Sequence, residues 1–209
     1  GLSPDLIFLA VKPQVMPQVL PDYAGFKGST FVSIAAGTTV ATLQAGLGAD
    51  APVIRCMPNT PAAIGAGMMV CWGTDGVSDQ AKALTGDLLA ASGKVAWIED
   101  EALMDAVTAV SGSGPAYIFH FIEALTAAAV KAGLPQDLSE TLAMQTVMGA
   151  GRLAAESDTP PGTLREQVTS PGGTTAAGLS VLRETGALEA LLSETVEAAR
   201  ARGEELGKA

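Results

Sequence analysis

Over the first hundred residues, short apolar runs rich in Val and Ile alternate with segments of helical pattern. Runs this short and this apolar are typical of strands in a sheet covered on both faces. Strands that alternate with helices predict an α/β domain with a mainly parallel sheet. The predicted strands are Leu6–Val11, Thr30–Ala35, Val53–Met57, Met68–Trp72 and Lys94–Ile98, and the predicted helices are Val15–Tyr23, Val40–Leu47 and Ser78–Ser92.

The pattern changes near residue 100, because no segment after Glu99 has the pattern of a strand. The motif SGSGP at Ser111–Pro115 is typical of a helix start, with a serine N-cap and a proline in the first turn. Gly133 is placed to end that helix, and further helical segments follow. The sequence therefore predicts two domains, an α/β domain over 1–100 and an all-α domain over 101–209.

Composition and charge exclude several classes of protein. The chain has 22 acidic and 12 basic residues, and a net charge of −10 disfavours both nucleic acid and anionic membrane surfaces as partners. No segment has the pattern of a signal peptide or a transmembrane helix. Cys56 and Cys71 lie in apolar runs at no metal-ligand spacing, so we expect two reduced core thiols in a cytoplasmic protein.

Common catalytic motifs are also missing. A single histidine, His120, excludes zinc sites built on several histidines, so no metal site is expected. Because His120 lies within the apolar run YIFHFIEAL, we expect it to be a buried structural residue. The sequence contains no GxSxG, no GxxxxGK[ST] and no GxGxxG; GSGPAY, GLGADA and GAGMMV each lack the third glycine.

Polar, backbone-exposing turns follow three of the predicted strands. They occur in LIFLAVKPQ, SIAAGTT and IRCMPNTP, where Gly, Pro, Asn and Thr follow the apolar run. In open α/β sheets, ligands bind outside the carboxyl ends of the strands. Three such ends would suit a flat cofactor ring, although ordinary surface turns remain an alternative on pattern alone.

The segment VTSPGGTTAAGLSVL, Val168–Leu182, predicts an anion site. Its two glycines let main-chain N–H groups approach a ligand, and the following helix offers unpaired amides and the positive end of its dipole. Ser170, Thr174 and Thr175 add hydroxyl groups. The absence of lysine favours a carboxylate over a phosphate, and a decorated helix cap is the alternative.

Five motifs in this order, DLIFLAVKPQ, VSIAAGTT, VIRCMPNTP, AVSGSGPAY and VTSPGGTT, resemble the pyrroline-5-carboxylate reductases, which catalyse the last step of proline biosynthesis. The resemblance extends over the whole chain. It implies a Rossmann-type domain that binds NADPH or NADH, followed by a helical substrate-binding and dimerisation domain. It also implies an oxidoreductase that transfers a hydride to the C=N carbon of 1-pyrroline-5-carboxylate and forms L-proline. Dimers of this family often assemble further into rings.

The resemblance also implies roles for particular residues. Thr175 would bind near the imine nitrogen and is the candidate catalytic residue. The residues that would bind substrate are Ser170, Gly173, Thr174 and Thr175. The residues that would line the cofactor cleft are Ala10, Val11, Lys12, Pro13, Ala35, Ala36, Gly37 and Asn59.

The front of the sequence departs from the family pattern. Family members have a GxGxxG-type turn and further elements before the strand that ends in VKP, and this portion is not in the sequence. We therefore expect an N-terminally truncated chain with a partial Rossmann-type domain. Such a chain would bind cofactor poorly, and its sequence leaves the preference between NADPH and NADH open.

Two other functions stay open at this stage. One is a reductase of a related cyclic imino acid, such as the six-membered homologue. The other is a catalytically incompetent fragment that dimerises through its helical domain. Self-association is expected because Ala124–Gly133 and Leu142–Ala155 carry apolar residues on more than one face, and packing of these helices wholly within the chain or on the sheet is the alternative.

Overall fold

The structure is a computed structural model that describes residues 2–207, apart from the side chain of Thr185. The chain forms two compact units. The first comprises Gly1–Pro115 together with Val196–Ala209, and the second comprises Ala116–Thr195. The last part of the C-terminal helix therefore belongs to the α/β unit, which the sequence pattern did not predict.

All five predicted strands are present in one sheet, in the order β1-β2-β3-β4-β5. Strand pairs are parallel except for β3 and β4, which are antiparallel. The link between these two strands holds only a short 3-10 turn, and a parallel pair needs a longer crossover connection. The strands are β1 Leu6–Leu9, β2 Thr30–Ser33, β3 Val53–Met57, β4 Gly67–Gly73 and β5 Gly93–Trp97.

Helices cover both faces of this sheet, as its apolar strands require. Helix α1 spans Met16–Tyr23, α2 spans Val40–Leu47 and α3 spans Asp79–Ala90. Neighbouring residues of a strand point to opposite faces, so Phe31 packs with the core under α1 and α2 while Val32 packs with the core on the α3 side. The mainly parallel, Rossmann-type α/β fold of this part is confirmed.

A distorted helical segment joins the sheet to the long helices. A 3-10 turn at Glu101–Leu103 leads into the short helix α4, Met104–Val107. A π-helical turn at Thr108–Gly112 follows, and helix α5 begins at Gly114. The sequence predicted a helix start at SGSGP but gave no signal for the wider π turn before it.

The remaining elements are helical, which confirms the all-α character of this part of the chain. They are α5 Gly114–Lys131, α6 Gln136–Glu156, α7 Pro161–Gln167, α8 Thr174–Arg183 and α9 Ala187–Gly207. Helix α5 ends at Lys131, and Gly133, the residue predicted to end it, follows two positions later with φ +102°. Among residues 2–207, no helix combines the length and apolarity needed to cross a membrane.

Candidate functional site

Three predicted turns lie at one edge of the sheet. Strands β1, β2 and β3 are adjacent and parallel, so their carboxyl ends point the same way. The turn after β1 contains Ala10–Pro13, the turn after β2 contains Ala35–Gly37, and Asn59 follows β3. The fold thus brings together all eight residues that the sequence assigned to the cofactor.

The turn after β1 is open to solvent. Ala10, Lys12 and Pro13 are exposed, and Val11 is half-buried against the core. Lys12 has the extended backbone expected before proline, with φ −64° and ψ 146°. Its carbonyl accepts a hydrogen bond from the Val15 amide at 2.9 Å. This bond starts a 3-10 turn that leads directly into α1.

The turn after β2 depends on a glycine. Gly37 has φ +72°, in the left-handed region that side chains with a Cβ rarely adopt. The Ser33 hydroxyl accepts a hydrogen bond from the Ala35 amide at 3.3 Å, so the end of the strand supports the turn. A Cβ placed on Gly37 would lie 3.9 Å from Cβ of Leu206, which shows that the C-terminal end of α9 approaches this turn.

Two residues that the sequence pattern did not identify support the end of this turn where helix α2 begins. Glu101 Oε1 accepts hydrogen bonds from the Val40 amide at 3.0 Å and from Arg55 Nη1 at 2.6 Å. The side chain of Arg55 is 10% exposed and that of Glu101 is 29% exposed. A buried arginine requires a partner of opposite charge. An arginine within an apolar strand such as VIRCM is therefore a signal that could have identified Arg55 from the sequence.

Asn59 is engaged within the chain on both ends of its carboxamide. Its Nδ2 donates to the carbonyl of Ser111 at 3.2 Å, and its Oδ1 accepts from the Met68 amide at 2.9 Å. These bonds tie the end of β3 to the start of β4 and to the π-helical turn. The Ser111 hydroxyl is buried and has no hydrogen-bond partner among the described residues.

The predicted anion site lies in the second unit, and a helix begins there as expected. Gly172 has φ +70°, and the Gly173 amide donates to the Ser170 carbonyl at 3.0 Å. Gly173 is the N-cap of α8 and supplies no side chain to cap the helix. The first-turn amides and the exposed hydroxyls of Thr174 and Thr175 are therefore available to a ligand.

The prediction for His120 is wrong. The His120 side chain is 84% exposed, and its Nδ1 lies 3.1 Å from Oε2 of Glu123. Its neighbours Phe119 and Phe121 are also exposed, at 58% and 50%. The apolar run that suggested burial therefore forms an uncovered surface of α5 in the single chain.

The two cysteines are free and buried, as predicted. They face each other across the antiparallel pair of β3 and β4. The pKa of the Cys71 thiol is raised far above its usual range, first by a hydrogen bond with Cys56 and then by burial. Burial and this raised pKa make the Cys71 thiol a poor nucleophile. Within residues 2–207, no group of His, Cys, Asp and Glu side chains is placed to hold a metal ion.

Comparison with known proteins agrees with this arrangement. Residues 101–206 match the family described as pyrroline-5-carboxylate reductase dimerisation. The pyrroline-5-carboxylate reductase of Pseudomonas aeruginosa is 43% identical over 98% of this chain and 75% of that protein. The enzyme of Synechocystis is 45% identical over 98% of this chain and 76% of that protein.

Solved structures of pyrroline-5-carboxylate reductases are also similar to this chain in fold. A pyrroline-5-carboxylate reductase from Coxiella burnetii superposes with a TM-score of 0.92 at 38% identity, over 97% of this chain and 76% of that chain. Plasmodium falciparum pyrroline carboxylate reductase, solved with NADP bound, superposes with a TM-score of 0.84 at 34% identity, over 97% of this chain and 77% of that chain. The chain thus spans about three quarters of the length of these relatives. It belongs to the pyrroline-5-carboxylate reductase family.

Proposed function

We propose that the protein reduces 1-pyrroline-5-carboxylate to L-proline with a hydride from NADPH or NADH. The observation that carries the proposal is the edge of the sheet. There, the three turns after β1, β2 and β3 lie side by side in a chain that aligns with pyrroline-5-carboxylate reductases over 98% of its length. Residues 1–100 are the proposed nucleotide-binding part, and residues 101–209 are the proposed substrate-binding and dimerisation part.

The strand-end turns fit the nicotinamide half of a dinucleotide. They present main-chain groups and the small side chains of Ala10, Ala35 and Ala36, against which a flat ring would bind, with Val11 packed against the core beside them. Lys12 would supply a cation for the ribose phosphate. Asn59, whose carboxamide is bonded within the chain, contributes by holding the third turn in place. When bound, the reduced nicotinamide supplies the hydride.

The SPGGTT loop fits the substrate. The carboxylate of the substrate would accept hydrogen bonds from the first-turn amides of α8 and from the hydroxyls of Ser170 and Thr174. The helix dipole would add to the attraction. Gly173 lets the main chain approach closely. The Thr175 hydroxyl would bond near the imine nitrogen and fix the orientation of the ring.

This set of residues is sufficient for the reaction. A cyclic imine takes a proton from solvent and becomes an electrophilic iminium, so the enzyme needs no dedicated acid. Hydride transfer then depends mainly on orienting the ring, which hydroxyls and main-chain amides can do.

The chain also self-associates in this proposal, through the matched dimerisation region. Dimers that assemble further into rings are part of the proposal, as in related enzymes. A reducing compartment would keep Cys56 and Cys71 as thiols, and we place the enzyme in the cytoplasm. Nucleic acid and membranes have no role in it.

Replacing Thr175 tests the substrate site. Thr175→Val keeps the shape but removes the hydroxyl, and we expect kcat/KM for 1-pyrroline-5-carboxylate to fall by about tenfold or more. Thr175→Ser, which retains the hydroxyl, is the matched control and should keep most of the activity. Equal activity of the two variants would remove Thr175 from the mechanism. The six-membered imino acid, assayed in parallel, identifies the preferred ring size.

A further inference from the structure

Helix α2 is capped by one local and one distant residue. Thr39, its N-cap, accepts a hydrogen bond from the Thr42 amide at 3.2 Å. Glu101, 61 residues along the chain, accepts one from the Val40 amide at 3.0 Å. The first amides of a helix have no partner within it, and a carboxylate near them is also favoured by the helix dipole. Glu101 therefore fixes the point where the turn after β2 becomes α2.

Arg55 determines where the Glu101 carboxylate lies. The guanidinium is nearly buried on β3 and contacts the same oxygen, Oε1, that accepts from Val40. The guanidinium donates to the carboxylate at 2.6 Å, and this charge-assisted hydrogen bond holds the carboxylate in place. The three groups connect the middle of the sheet, the segment after β5 and the start of α2.

We propose that Glu101, held by Arg55, is a positioning residue for the turn that contains Ala35–Thr39. The inference rests on the proposed function, in which Ala35, Ala36 and Gly37 line the nicotinamide half of the cofactor site. Hydrogen bonds hold the turn at both of its ends. The Ser33 hydroxyl accepts from the Ala35 amide on the strand side, and Glu101 accepts from the Val40 amide on the helix side. Glu101 thereby affects cofactor affinity without touching the cofactor.

Two variants, each with a side chain about as long as that of glutamate, test the proposal. Glu101→Gln keeps an oxygen that can accept from both Val40 and Arg55, whereas Glu101→Met fills the same space without an acceptor. The probe is reduced nicotinamide mononucleotide, which carries only the ring, its ribose and one phosphate. We expect the Gln variant to bind it within about twofold of the wild type and the Met variant to bind about tenfold more weakly. The Val40 amide should exchange hydrogen faster in the Met variant.

A destabilising control separates positioning from stability. Met69 is 1% exposed on β4 and belongs to the core on the other face of the sheet. Met69→Ala should lower the unfolding temperature but leave the affinity for the mononucleotide unchanged below that temperature. Affinity that follows stability in all three variants, or equal affinity of the Gln and Met variants, overturns the inference.

Activity assays on the wild type and these variants distinguish failure of the Glu101 inference from failure of the proposed function. If the wild type binds the mononucleotide and the two Glu101 variants differ as expected, the inference stands even when no variant reduces 1-pyrroline-5-carboxylate. That result would instead contradict the proposed reaction. A wild type that does not bind the mononucleotide at all overturns both.

Discussion

Gly173 shows how a single side-chain position can control the proposed substrate site. Its backbone, with φ −81° and ψ 175°, is accessible to any residue, so conformation does not require glycine there. Space does, because a Cβ on Gly173 would overlap Oγ of Ser170. An alanine would push aside the hydroxyl that we assign to the substrate carboxylate.

We therefore expect Gly173→Ala to raise the KM for 1-pyrroline-5-carboxylate by about tenfold with a small loss of stability, because the serine hydroxyl can rotate away and the Ser170 carbonyl, 3.2 Å from the added Cβ, must shift only slightly. Gly178→Ala is the matched control in the same helix, where a Cβ would meet nothing within 4 Å. It should leave the KM unchanged and stabilise α8 by up to about 1 kcal/mol. Steady-state kinetics and urea unfolding measure both effects. An unchanged KM in Gly173→Ala would contradict the assignment of this loop.

At the scale of elements, the sequence predicted the strands well because each is a short apolar run between turn residues. Helices were also predicted at Val40–Leu47 and Ser78–Ser92, and the structure starts them after the N-caps Thr39 and Ser78. The antiparallel direction of β4 was not predicted, because it depends on the length and path of one connection. The apolar pattern also misled at His120, since it does not reveal whether an apolar helix face is covered by the same chain.

The sequence predicted some features of the candidate site but not the long-range hydrogen bonds that hold it. Turn residues at strand ends could be located from the sequence, because parallel strands place their carboxyl ends at one edge. The bond from Glu101 to the start of α2 could not be predicted, since it joins residues 61 positions apart. The engagement of both ends of the Asn59 carboxamide also depends on tertiary contacts with Met68 and Ser111.

Helix α6 provides a test of self-association at this scale. Met144 and Met148 are four residues apart on one face and are 56% and 53% exposed. We expect the double substitution to Glu to weaken the dimer by at least about tenfold, because the charges would lose hydration in an apolar interface. Sedimentation velocity over a range of concentrations measures the change.

The control for this test is Leu88→Glu on α3, a site in the first unit that is 52% exposed and lies outside residues 101–206. It should leave the association unchanged. A wild-type chain that sediments at 21.0 kDa at all concentrations would contradict dimerisation.

The whole molecule contains an α/β unit with three adjacent strand-end turns and a helical part with an exposed glycine-rich loop. Each part matches the pyrroline-5-carboxylate reductases in sequence and fold. The net charge of −10 and the shortage of basic residues are compatible with small anionic ligands, because the proposed anion site uses amides and hydroxyls. The function therefore depends on local geometry more than on overall charge.

The most direct test is to incubate the protein with 1-pyrroline-5-carboxylate and NADPH over a wide range of cofactor concentrations. Both the loss of dihydronicotinamide absorbance and the formation of L-proline are then measured. We predict that proline forms in proportion to the cofactor oxidised, and that NADH also supports the reaction. Failure to form proline with either cofactor at any concentration, in protein that binds reduced nicotinamide mononucleotide, would contradict the proposed function.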